Sequence, residues 1–436
     1  MDRNIADETR IVRNVIEDSK QQDISAVSCF YKVYDETNLI YRYNKLMSAQ
    51  TSSHHCLTVD LHDSKGNNYK NRFADSGIIN NSTRIFETLK NNIYAKEESP
   101  IYKAEPSECI NLLDENYEPS ELRYRVNELL DTVKKKYPLI SFKAIKAGFT
   151  EGINIYANSG YSEKIELYDK YKVTATFCAT NGIEASNLKS YTITMNDLKK
   201  EFIKRGAFDA ILENTNNSLR YKSYDTKKIN VVCFLPDAME KIVQAFVKSY
   251  LSDKAIISKR SPLVDCLEKK IFPSDVSISA LYETDEFVSD GSMLSTKGFF
   301  NKDATIIDSG ILTNYCLSPK YESKLGLPHS YSDYENLYVQ NGENSLVDMY
   351  RNIDKGIIAS RIKIHKMDQA GNFVLLVKNG VIIEKGIQKF ALNTNLMRFN
   401  IWELFHNIIG ISKEVAMSGY SGMPWIAFDR RCIKIE

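Results

Sequence analysis

Residues able to do metal, nucleophilic or acid–base chemistry are few in this chain and widely spread. The six histidines are His54, His55, His62, His329, His365 and His406. A zinc peptidase helix needs two histidines about one turn apart, so that both imidazoles meet one ion, with a glutamate base beside them. No pair here has that spacing. The nearest approach is "HHCLTVDLH", in which His54, Cys56, Asp60 and His62 share one face of a strand. A strand rises ~3.3 Å per residue, which sets His54 and His62 roughly 26 Å apart. His54 and Cys56 are left as half a site, and a solvated strand face is the stronger reading of them.

Serine chemistry fares no better. "SGYSGMP" resembles a nucleophile elbow, but the G-x-S-x-G pattern requires glycine where Met423 stands. His406 precedes it among Trp402, Phe405 and Ile409, as a packed helix histidine would. Phosphate-binding glycine loops of either common pattern are missing. Lys134–Lys136 end a helix, where cations complement the dipole. Asp285 and Glu286 are adjacent, so on a strand they point to opposite faces and do not form a catalytic pair.

The elements that would carry any site read as a mixture of helices and strands. A helix is expected from Ala6 to Ser19, with Ile11, Val12, Val15 and Ile16 on one face. "ISAVSCFYKVY" alternates as a strand through Val27, Cys29, Tyr31 and Val33, and "CLTVDLHD" follows as another, with "SKGNN" as its turn. Ser82 is expected to cap a helix carrying Ile85, Phe86, Leu89 and Ile93. Residues 96–120 read as a long surface connection. Leu122, Val126, Leu129, Leu130 and Val133 then mark a helix that Pro138 stops. Strands "GINIYANSG" and "KVTATFCATNG", a helix over 195–205 and a polar linker "LENTNNSLRYKSYDTKK" complete the first half.

The second half opens on "INVVCFL" and the helix "PDAMEKIVQAF". Asp237 and Glu240 form a D-x-x-E variant of the capping box. Met239, Ile242, Val243, Phe246 and Tyr250 give it one apolar face, with Lys241, Gln244 and Lys248 opposite. Folding and packing explain the whole of it. In "GNFVLLVKNGVIIEKG" two apolar runs flank Asn379-Gly380, the pair favoured by a type I′ hairpin turn. Runs so continuously apolar suit a sheet covered on both faces, or an edge buried by a partner.

Size and composition agree with two domains, 1–226 and 227–436, in an α+β chain. The first is an α/β domain with an antiparallel or mixed sheet and flanking helices, the second a β-rich domain. Lys plus Arg (57) balances Asp plus Glu (56), which removes the electrostatic case for a dedicated nucleic-acid binder. The polar start "MDRNIADETR" lacks a signal-peptide core, and no apolar run is long enough to span a membrane. Eight cysteines lie singly with no CxxC pair, as in a cytoplasmic protein with reduced thiols.

Taken in order, several stretches resemble the TldD/PmbA (modulator of DNA gyrase) family, and its PmbA/TldE branch in particular. They are "INVVCFLPDAMEKIVQAF", "YLSDKAIISKRSPLVDCLEKKIFPSDVSI", "DATIIDSGILTNYCLSPKYESKLGL", "GNFVLLVKNGVIIEKGIQ" and, earlier, "IYANSGY". The resemblance implies an N-terminal α/β and a C-terminal β-rich domain. It implies a metallopeptidase system for peptide processing, in which TldD subunits carry HExxxH on a helix. In this chain the helix after Pro236 stands in that place and shows Asp237, Met239, Glu240 and Lys241. Cys432, in "AFDRRCIKI", does not resemble the family's cysteine ligand. The implied role is a subunit without catalytic residues, metal or cofactor of its own. Its partner is a TldD-like zinc peptidase or a second copy, as a dimer, and its substrate a peptide. A peptide would add to a sheet edge, with Gly371, Asn372, Phe373, Val374, Leu375, Val381 and Ile383 as the candidate strands. The alternatives are an independent enzyme using His54 and Cys56 or the "GYSGMP" turn, or a homodimeric binding or scaffold protein in a peptide natural-product or toxin pathway.

Overall fold

The computed structural model describes residues 4–90, 94–96, 106–113, 119–219, 224–282, 292–392, 395–418 and 421–436. The expected pair Asp285 and Glu286 lies outside them, as do Ile93 and part of the expected linker.

In the first half, α1 (Ile5–Ser19) precedes two 19-residue strands, β1 (Ile24–Arg42) and β2 (Lys45–Asp63), and then β3 (Asn67–Phe73). Helices α2 (Ser82–Lys90) and α3 (Pro119–Lys136) follow. Strands β4 (Ile140–Asn158), β5 (Glu163–Ala179) and β6 (Lys189–Met195) lead to α4 (Phe208–Asn216). The central run β3-β2-β1-β4-β5 is antiparallel throughout. On the far side of β5, β6 pairs antiparallel and Glu108–Leu112 parallel, so the sheet is mixed.

Period-two burial sets the face of β1: Val27, Cys29, Tyr31 and Val33 are buried. They pack with Val12, Val15 and Ile16 of α1 and Ile85, Phe86 and Leu89 of α2. Several expectations are corrected here. Ser82 does not cap α2; its hydroxyl donates to Asp18, while Asn81 accepts from the Arg84 amide. The supposed surface connection contains the Glu108–Leu112 strand. The helix expected over 195–205 is only a 3₁₀ turn at Phe202–Lys204. The true helix α4 lies just beyond and runs into what read as polar linker, because Ile211, Leu212, Asn214 and Thr215 are buried.

The second half runs β7 (Val231–Phe234), α5 (Pro236–Phe246), β8 (Lys355–Met367), β9 (Asn372–Glu384), β10 (Ile387–Leu392), β11 (Asn395–Asn400), β12 (Ile408–Ser418), β13 (Ser421–Asp429) and β14 (Lys434–Ile435). The sheet orders β13-β7-β8-β9-β11-β14, with shorter strands beyond β13. Helix α5 lays Ala238, Met239, Ile242, Val243 and Phe246 into its core.

The expected hairpin at Asn379-Gly380 is absent. β9 passes straight through, with Asn379 opposite Ser360 and Gly380 opposite Ala359 and Leu392. The turn comes at Lys385-Gly386, where both residues have positive φ (49° and 77°), as a type I′ turn demands.

A third cluster joins the halves. Leu39, Phe149, Val173 and Phe208 pack in it with Cys233, Leu235, Ile358, Ile383, Trp425 and Ala427. Buried Glu166 adds a polar staple: it accepts from the Met293 and Leu294 amides at 2.7 and 3.3 Å, from Asn154 at 2.7 Å, and from Ser292. No helix among the described residues is long and apolar enough to cross a membrane.

Candidate functional site

The start of α5 sits at this junction. Leu235 is its N-cap and makes no side-chain cap bond; Pro236, with fixed φ and no N–H, begins the helix. This corrects the expected capping box. Asp237 lies one residue inside the helix, and its Oδ2 accepts from the Arg361 backbone N–H at 2.8 Å. Arg361 has a φ of 49° and falls between Ser360 and Ile362 of β8 without a ladder partner of its own. Its guanidinium donates to the Leu188 carbonyl at 2.5 Å, across the junction.

Lys189, at the head of β6, is 1 % exposed and donates to Asn214 Oδ1 at 3.3 Å. Burial, then Arg361, pulls its ammonium down to about 7, while Asp237 acts the other way. Burial likewise raises the Asp237 carboxyl, against the Arg361 amide, Lys241, Lys189 and the Arg361 charge. Burial raises Glu240 too, against its bond with Ser421 and with Asp237 adding to the rise. Lys241 donates to the Ile362 carbonyl at 3.2 Å, and Gln244 to Glu240 at 3.1 Å. Asp237 Oδ1, Ser360 Oγ and Asn214 Nδ2 are shut from solvent without a hydrogen-bond partner.

The helix that read as pure packing therefore presents two carboxylates to a buried polar cluster. The sequence reading missed Lys189, Arg361, Asn214 and Ser360. One signal was available: Lys189 shares the parity of Tyr191, Ile193 and Met195, so a cation stood on the inward face of a strand.

This donor set does not suit zinc. Structural and catalytic zinc takes histidine and cysteine with carboxylates in support. Here Asp237 and Glu240 are joined by neither histidine nor cysteine, and Lys241, Lys189 and Arg361 supply positive charge beside Asp237. Among the described residues, no group of three or more His, Cys, Asp or Glu side chains could hold a metal ion.

The other expected site residues lie apart from this cluster. His54 stacks on Tyr34 (ring centroids 4.8 Å) and contacts Ser52 Oγ at 2.9 Å. Cys56 Sγ accepts from Arg72 Nε at 2.6 Å. Both sit on β2, two residues apart, each engaged with other residues. Ser421 bonds to Glu240, while His406 Nδ1 contacts the Trp402 carbonyl at 2.7 Å, so the two form no catalytic pair. Cys432 contacts the Asp429 carbonyl, and burial pushes its thiol up to about 11.

Asn372, Phe373, Val374, Leu375, Val381 and Ile383 all lie on one strand, β9, with Gly371 just before it. They do not form a free edge. β8 pairs along one side of β9, while β11 and β10 share the other. An incoming peptide strand finds no backbone edge there.

Residues 226–434 match the family model described as the PmbA/TldA metallopeptidase C-terminal domain. No curated protein sequence matches the chain. Three solved structures share its fold over nearly their whole length. TldE from Thermococcus kodakarensis is 13% identical with a TM-score of 0.75, covering 98% of this chain and 99% of its own. A protein of Thermotoga maritima described as a modulator of DNA gyrase is 15% identical, with a TM-score of 0.73 and coverage of 98% and 100%. A similarly described protein of Bacteroides thetaiotaomicron is 15% identical, with a TM-score of 0.77 and coverage of 97% and 98%. The second half of the chain thus matches the C-terminal domain of the PmbA/TldA metallopeptidases, and its whole length is built on the fold of these solved structures.

Proposed function

We propose that this chain is a TldE-type subunit of a metallopeptidase system acting on peptides or flexible polypeptides, and that it carries no zinc of its own. The observation behind this reading is the start of α5. Asp237 is near Lys241, Lys189 and Arg361, and Glu240 is near Lys241, and this local positive charge opposes a divalent cation. The chain's own cations serve where a metal would otherwise balance the carboxylates. In this reading zinc belongs to a TldD-like partner, and the present subunit shapes the chamber around an extended substrate.

Co-expression with a family member bearing HExxxH tests the proposal. The expected result is a stable complex that hydrolyses flexible peptides faster than the partner alone. Failure to form a complex, with no change in the partner's activity, would overturn it.

A further inference from the structure

Strand β2 leaves one edge bare over much of its length. Its inner edge pairs with β1 all along. Its outer edge is covered by β3 only between residues 57 and 62. Among the described residues, no strand or isolated bridge pairs with the outer edge over residues 45–56. Residues 49–54 are exposed, so neither face of this stretch is packed over. Behind it stand β1, β4 and β5 in antiparallel order, and between residues 48 and 62 the pairing with β1 has no bulge.

A bare edge presents unpaired N–H and C=O groups as a template for another strand, and proteins blunt such edges with charge, proline or a bulge. Residues 46–53, "LMSAQTSS", hold no charge and no proline. The irregularity lies at the hairpin tip, where Ile40 pairs with Ser48 but Tyr41 with Leu46. The tip also turns apolar side chains to solvent: Tyr43 is 70% exposed, Met47 63% and Leu46 37%. A bare edge continuous with exposed apolar side chains marks a contact surface.

We propose that a second copy of this chain pairs here, β2 against β2 in antiparallel register, so that the two first sheets become one. The charge pattern favours a second copy. A two-fold axis normal to the sheet keeps each face on its own side, so residues meet partners of their own parity and the centre of the bare stretch, Gln50 or Thr51, meets itself. A charge there would face its own image, and there is none. The apolar tip of one copy then lies toward the far end of the other, where His54 stacks on Tyr34. Twelve residues make a strip about 40 Å long and about 10 Å thick, so the pair buries roughly 800 Å² in total. That is less than the ~1,200 Å² of a stable interface and sets a weak, concentration-dependent dimer. The proposal concerns the chain alone and does not rest on the subunit reading.

Sedimentation velocity of the full chain over a range of concentrations at low salt is the test. The expected result is a reversible monomer–dimer equilibrium. Gln50→Lys and Gln50→Glu each bring like charges together across the axis. Each is expected to weaken the dimer about tenfold with unchanged thermal melting. An equal mixture of the two variants is expected to restore it, because opposite charges then meet. A monomer at every concentration would overturn the proposal. So would a dimer that neither variant weakens, or one that the mixture fails to restore.

Discussion

Lys189 is the residue whose proton reports most directly on the buried cluster. Its folded pKa of about 7 lies below the ordinary lysine value. Between these two values the unfolded chain binds more protons, so this group's contribution to stability rises with pH across that window. The slope is roughly 1 kcal/mol per pH unit from about pH 7 to about 10. Lys189→Met should remove it, read as the difference between variant and wild-type melting curves over that range. Parallel curves would show an ordinary, hydrated lysine. Asp237 has the opposite sign. Its raised pKa favours the fold below the ordinary carboxylate range, and that contribution is lost as pH rises through the folded value. Asp237→Asn should flatten this acid limb and still leave an acceptor for the Arg361 amide. Asp237→Ala also orphans that buried donor and should cost about 1–3 kcal/mol more in urea unfolding than the asparagine variant.

At the scale of elements, two glycines separate the observed strand from the hairpin that its sequence suggests. Gly386 has φ of 77°, and a Cβ there would meet the Arg351 Cα at 3.0 Å; Gly380 lies in an extended strand with its nearest neighbour at 3.6 Å. Gly386→Ala should therefore destabilise by about 1 kcal/mol or more, and Gly380→Ala by about 0.5 kcal/mol or less. The reverse order would restore a turn at Asn379-Gly380. Much of the fold was legible where burial is one-sided. The faces of α1, α2, α3 and α5 and the inward residues of β1 followed from period alone. Legibility failed where both faces are covered. Between Gly356 and Ser360, and across Val381–Ile383, there is no polar face to show the period, so Asn-Gly read as punctuation. It failed again at α4, whose polar Asn214 and Thr215 are buried by contacts from distant strands. The site was half legible. The position of α5 was plain, but its charge partners come from β6 and β8, far away in sequence.

The molecule as a whole unites its two sheets through one apolar cluster and the Glu166 staple. The family's C-terminal domain model starts at residue 226, yet Cys233, Leu235 and Trp425 beyond that point share a core with Phe149, Val173 and Phe208 before it. Calorimetry should accordingly show one cooperative transition. Phe208→Ala, which empties a fully buried site in the shared cluster, should lower that transition by about 3–5 kcal/mol without splitting it. Two separate transitions in the wild type would mean that the halves fold independently.

The central claim concerns the start of α5, where lysine and arginine stand around two carboxylates. Its most direct test is zinc content together with peptide hydrolysis, measured on the purified chain alone. The account predicts no stoichiometric zinc and no hydrolysis of flexible peptides. One tightly bound zinc per chain, with peptide hydrolysis that a chelator abolishes, would contradict it.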